Sequence, residues 1–134
     1  MTQVAVRAAL EVALNAMTPA IATAWENNAF APPASSTPYQ AAFVLWGTPD
    51  NPEMGASYFE QGIFQVSLFY PLQAGTSAAA TRAGLLRTLF RRGASFTNSG
   101  VVVTVRRTPE VSAGTVDGDR WFVPVKVRFS AFIP

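Results

Sequence analysis

Apolar residues recur along this chain with two different periods, and the switches between them mark the elements. Over Thr2–Met17, the residues Val6, Leu10, Ala13, Leu14 and Met17 fall at three- and four-residue steps, the spacing of a single helix face. Thr2 is placed to cap this helix and Pro19 ends the pattern. Ala5, Ala8, Ala9 and Ala16 add intrinsic helix propensity. Ile21–Glu26 then reads as a short strand, and Asn27–Pro38, rich in Pro, Ser and Ala, as a loop. Tyr39–Trp46 is apolar enough for a strand. From Phe59 to Leu72 the period becomes two: Phe64, Val66, Leu68 and Tyr70 share one face, and Gln65, Ser67 and Phe69 the other. If these two strands pair, residues 47–58, with Thr48-Pro49-Asp50-Asn51-Pro52 among them, form a long hairpin flap.

A second helical stretch starts at Thr76 or Ser77 and runs to Arg92, with Gly93 as its stop. Leu85, Leu86, Leu89 and Phe90 form its apolar stripe, and Arg87, Arg91 and Arg92 occupy the last two turns, where the helix dipole favours cations. Val101–Arg107 and Arg120–Phe132 read as closing strands, joined by a loop over Thr108–Asp119. The last strand alternates Trp121, Val123, Val125, Val127, Phe129 and Ala131 against Phe122, Pro124, Lys126, Arg128, Ser130 and Phe132. Pro124 cannot donate a ladder hydrogen bond, which predicts an edge strand or a bulge. Runs of strands separated by two helices predict one α+β domain over residues 1–134. Its mostly antiparallel or mixed sheet has about five strands, both helices pack on one face, and the long flap projects from it.

Composition turns attention to the surface. Of 134 residues only 10 are basic and 8 acidic, while 49% are apolar. An average chain of this length carries about 33 charges to cover the roughly 6,800 Å² that a folded monomer of this mass exposes. The shortage predicts that other subunits cover part of the surface. The charges are also unevenly placed. Residues 1–81 hold one arginine against five carboxylates, net −4, and residues 82–134 hold nine bases against three carboxylates, net +6. A two-signed subunit can join copies of itself head to tail, closing rings or extending filaments.

The chain has no histidine and no cysteine, which removes the commonest general base, metal ligand and nucleophile. Lys126, the single lysine, sits within an alternating strand pattern. Asp117 and Asp119 flank Gly118 as a turn signal, with too few oxygen ligands nearby for a calcium loop. No phosphate-loop motif occurs. These readings predict a protein that is not an enzyme and holds neither metal nor cofactor. No apolar run is long enough to span a membrane, and the amphipathic first helix lacks the form of a secretion signal, so a cytoplasm-like compartment is expected. The basic second half raises nucleic-acid binding, but the arginines do not form a dense stripe with aromatic readers. A weaker form remains, in which a ring of subunits sums its arginines around a DNA-conducting pore.

Three segments, Trp25-Glu26-Asn27-Asn28-Ala29-Phe30-Ala31-Pro32-Pro33, Gly62-Ile63-Phe64-Gln65-Val66-Ser67-Leu68 and Arg120-Trp121-Phe122-Val123-Pro124-Val125, in this order around two helices, resemble the tail terminator family of long-tailed bacteriophages. The similarity spans almost the whole chain. It implies a small α+β subunit that forms a ring of six on the last ring of a finished tail tube. That ring stops polymerisation and offers a docking surface to the head-tail connector. It also implies residence in the virion tail and no catalytic residue. The implied partners are further copies of the chain, the tail-tube protein, the connector and DNA passing through the pore.

Candidate subunit contacts are then Glu53, Tyr58, Phe59 and Glu60 around the flap and Arg87, Arg91 and Arg92 at the end of the second helix. Arg106 and Arg107 are the candidate pore-facing residues. The competing readings are a tail-tube or neck subunit and, in another class, a small-ligand module using the crevice between helices and sheet.

Overall fold

The computed structural model describes residues 2–134, Thr2 by its backbone alone, so the capping side chain expected of Thr2 lies outside the described residues. In chain order the elements are α1 (Thr2–Asn15), β1 (Ala22–Trp25), β2 (Tyr39–Trp46), β3 (Tyr58–Pro71), α2 (Ser77–Leu89), β4 (Ser95–Asn98), β5 (Val101–Val105), β6 (Glu110–Val111), β7 (Thr115–Asp117) and β8 (Arg120–Ile133). The fold is α+β, as the patterning predicts. The sheet has eight strands rather than about five, ordered β1-β2-β3-β8-β5-β4, with β6 and β7 also laid against β8. Only β1 runs parallel to its neighbour, β2; the other pairings are antiparallel.

The long strands β3 and β8 pair over 14 residues each and organise the rest. Their alternation divides the sheet as the sequence requires. Phe64, Val66 and Leu68 meet Val127, Val125 and Val123 on one face, and all six are buried. Both helices cover this face. Val6, Leu10 and Leu14 of α1 and Ala79, Ala83 and Leu86 of α2 join one core with Ala42, Val44, Val103 and Val105. Burying such side chains stabilises by about 1.5–3 kcal/mol each relative to exposure. The opposite face has no helix over it. Its residues include Phe43, Leu45, Ile63, Phe69, Phe122 and Phe132, all partly or largely exposed, around the polar Gln65, Lys126 and Arg128.

Several expectations change for local physical reasons. α2 ends at Leu89 with Phe90 as its C-cap, and Thr76 at the N-cap makes no side-chain capping bond. Arg91 and Arg92 therefore follow the helix instead of completing it. Leu85 is 37% exposed, whereas Ala79, Arg82 and Ala83 are buried, so the apolar stripe is rotated towards the small residues that let the helix approach the sheet. Ser99 and Gly100 both have positive φ, 50° and 78°, the conformation of a tight hairpin turn, and this makes Ser95–Asn98 a strand. The 108–119 loop contains two short strands, because the free edge of β8 beyond β5 offers pairing partners to any segment that runs beside it. Pro124 lies in the middle of central β8, not on an edge strand. Its carbonyl accepts from Ser112 N–H at 3.0 Å, beside a one-residue slip of register between Val111↔Val125 and Thr115↔Phe122, the bulge at which a proline is tolerated.

Candidate assembly interface

The flap leaves β2 at Gly47 and returns into β3, as the paired strands predict. Its base is tied: Gly47 N–H donates to Gln61 O at 2.8 Å, and Asp50 and Phe59 exchange backbone bonds of 2.9 and 2.8 Å. The Gln61 amide donates to Thr48 O at 2.7 Å. Further out, Ser57 Oγ donates to Glu53 at 3.0 Å. Residues 47–56 are exposed throughout, and Met54 at the tip is wholly exposed.

Of the four flap-side candidates, Glu53 is exposed and Tyr58 and Phe59 are half-buried. Phe59 packs against Phe132 with ring centroids 5.2 Å apart. Glu60 projects onto the core face and is only 5% exposed, so the structure does not bring it to the surface with the others.

The arginines expected in two separate roles converge. Arg92, Arg106, Arg107 and Arg128 line one cleft of about 700 Å³, together with Gln61 and Gly62, and no carboxylate lines it. Three local features build it. Arg106 N–H donates to Arg128 O at 2.9 Å, extending the β5–β8 ladder past Val105, and Arg106 Nη1 reaches Gln61 Oε1 at 3.2 Å. Arg87 donates from Nε to Pro109 O at 3.0 Å, latching the loop after Arg107 to α2, so its place is behind the cleft rather than in it. Gly62 lets the strands approach closely at its floor: a Cβ there would sit 2.5 Å from Leu45 O and 3.2 Å from the Phe129 ring. Arg128 is half neutralised by Glu110 at 3.3 Å, an exposed pair. Arg91, Arg92 and Arg107 form no ion pair among the described residues. Arg92, Arg106 and Arg107, which form no ion pair among the described residues, raise a positive potential around one opening that an anionic partner would relieve.

Two further arginines have a different task that the sequence did not disclose. Arg82 is 3% exposed; it donates to Pro19 O and to Gln40 Oε1 at 3.4 Å, and its Nε is without a partner. Burial pushes its pKa below the usual arginine value, and burial likewise raises the Tyr70 hydroxyl. Arg120, 4% exposed, donates to the carbonyls of Thr37, Pro33 (2.6 Å) and Ala34 (3.0 Å). It also lies 4.8 Å over the Tyr39 ring. Tyr39 continues a row across three strands, stacking on Phe69 at 4.6 Å, which meets Phe122 at 5.1 Å. The segments 25–33 and 120–125 are thus fastened to each other by one guanidinium, which gives their joint appearance a structural cause.

Among the described residues no group of three or more acidic, histidine or cysteine side chains is placed to hold a metal, and no helix is long and apolar enough to cross a membrane. A family model for phage tail terminator proteins matches residues 5–129. The chain belongs to the phage tail terminator family. A solved structure that bears only a sequence identifier for a name is 30% identical to it. The two superpose with a TM-score of 0.80, covering 100% of this chain and 99% of the other. No curated protein matches the sequence. Membership places the protein among structural components of the phage tail. For a tail terminator, the cleft and the flap are the surfaces with the most chemistry to offer a neighbour.

Proposed function

We propose that this terminator acts mechanically, by forming a ring, six-membered by family resemblance, that seats on the finished tail tube, stops its growth and presents its far side to the head-tail connector. The family match over residues 5–129 carries the reading, and three physical features support it. The sheet leaves one face without helices, exposing Leu45 and Phe132 at 46% each. The flap extends beyond any contact with the core. Four of the ten basic residues gather in one cleft.

In this reading the flap, with Glu53, Tyr58 and Phe59, and the end of α2, with Arg91 and Arg92, join neighbouring copies. One side of the ring copies the docking geometry of a tube subunit and the other does not, so growth ends. Arg106 and Arg107 would then meet a neighbour or the DNA path. The role needs no cofactor, and the protein resides at the head-proximal end of the virion tail.

Tube growth in vitro tests this. Purified protein added to polymerising tail-tube subunits should arrest length at the time of addition, whereas a tube or neck subunit would lengthen the tubes or leave them growing.

A further inference from the structure

We infer that the arginine cleft receives the acidic β7–β8 turn of the adjacent copy, Asp117-Gly118-Asp119, so that subunits join head to tail along the direction of β8. The inference rests on the ring reading above and specifies its contact. Its first support is complementarity. The cleft presents Arg92, Arg106, Arg107 and Arg128 with no carboxylate in its lining. The turn presents two carboxylates from exposed positions; the Asp119 side chain is 76% exposed, and among the described residues its only ion pair is a loose one to Arg120 at 3.9 Å. Carboxylates and guanidinium forks form the strongest charge-assisted hydrogen bonds available to this composition.

Position is the second support. Asp117 pairs with Arg120 at the start of β8, and the cleft gathers around Arg128 and Phe129 towards its other end. Nine residue steps along the strand separate Arg120 from Phe129, about 30 Å at the usual rise. Donor and acceptor at opposite ends of one rigid strand generate a heterologous contact, the kind that closes into rings. Other exposed carboxylates are already paired, Glu26 with Arg7 and Glu110 with Arg128, and the flap acids Asp50 and Glu53 stand at the cleft end: Asp50 bridges Phe59, which pairs with Phe132. The turn, at the far end of β8 from the cleft, offers the separation of the two contact surfaces that a head-to-tail join uses.

Reciprocal charge reversal tests the contact. Self-association of the full chain is followed by sedimentation velocity at low and high salt, with circular dichroism reporting the fold. Arg106→Glu/Arg107→Glu alone, and Asp117→Arg/Asp119→Arg alone, should each weaken association about tenfold or more, and the two together should restore it to within about threefold of the wild type. Arg92→Glu, at an exposed residue after α2, serves as the basic-side variant if the double substitution unfolds. Four results overturn the inference while leaving the ring intact: single-end variants that assemble normally, combined reversal without recovery, recovery supplied by Asp50→Arg/Glu53→Arg instead, or arginine variants that assemble normally but no longer bind a double-stranded oligonucleotide. A wild-type protein that stays monomeric both in solution and on tube ends overturns the ring reading and the inference with it.

Discussion

The second half of the chain puts arginine to three different jobs, and what each guanidinium touches separates them. Arg82 and Arg120 are buried and serve backbone carbonyls, Arg87 and Arg128 hold loops, and Arg91, Arg92 and Arg107 stand open. The sequence concentrates them all in its second half without distinguishing them, because the partners of the buried pair are carbonyls at Pro19, Pro33, Ala34 and Thr37, and a carbonyl has no sequence signature. Arg120→Lys keeps the charge but lacks the planar fork that reaches several acceptors. It should destabilise the fold by about 2 kcal/mol or more, read as a lower urea midpoint with an unchanged slope. Glu26 gives a pH prediction. The Arg7 guanidinium, 2.6 Å away, and the Val44 N–H at 3.1 Å hold its carboxyl below the usual 4.5. A depressed acid contributes stability above its unfolded value and loses it as pH falls through the folded one. Glu26→Gln should therefore cost about 0.5–1 kcal/mol at pH 7 and progressively less as pH falls below the usual 4.5 and through the lowered folded value, checked by thermal melts across that range.

Among elements, legibility followed length and alternation. β2, β3 and β8 were readable because period two over eight or more residues has one interpretation when one face is buried. α1 was readable from its stripe, although it stops at Asn15 and leaves Met17 in the core on an irregular turn. β6 and β7, at two and three residues, owe their existence to the open edge of β8 and have no pattern of their own. The end of α2 was misplaced because Phe90 packs against Phe64 at 5.8 Å and Phe96 at 5.3 Å, drawing the chain out of the helix before the arginines. The flap was legible as a long hairpin loop, and its exposure separates stability from assembly. Replacing residues 52–56 by Gly-Gly should change unfolding free energy by less than about 1 kcal/mol, since loop-closure entropy varies slowly with length. The same excision should abolish ring formation, as judged by size-exclusion chromatography with light scattering.

The whole molecule exposes 7372 Å², more than the roughly 6,800 Å² expected of a compact monomer of this mass, and the flap residues 47–56 are exposed throughout. A chain short of charge that spreads its surface beyond the monomer norm is built to have that surface covered. The charge imbalance between its halves was visible in the sequence, but the cleft was not. Arg92, Arg106, Arg107 and Arg128 come together only because β5 pairs with β8 and Gly93 turns the chain back beside them, its N–H donating to Val105 O at 2.9 Å. The central claim is that identical copies close a ring upon a tube end. Electron microscopy of purified tail tubes incubated with the protein tests it most directly: the account predicts a closed ring of additional density on one end of each tube, and bare ends with the protein left as free monomers would contradict it.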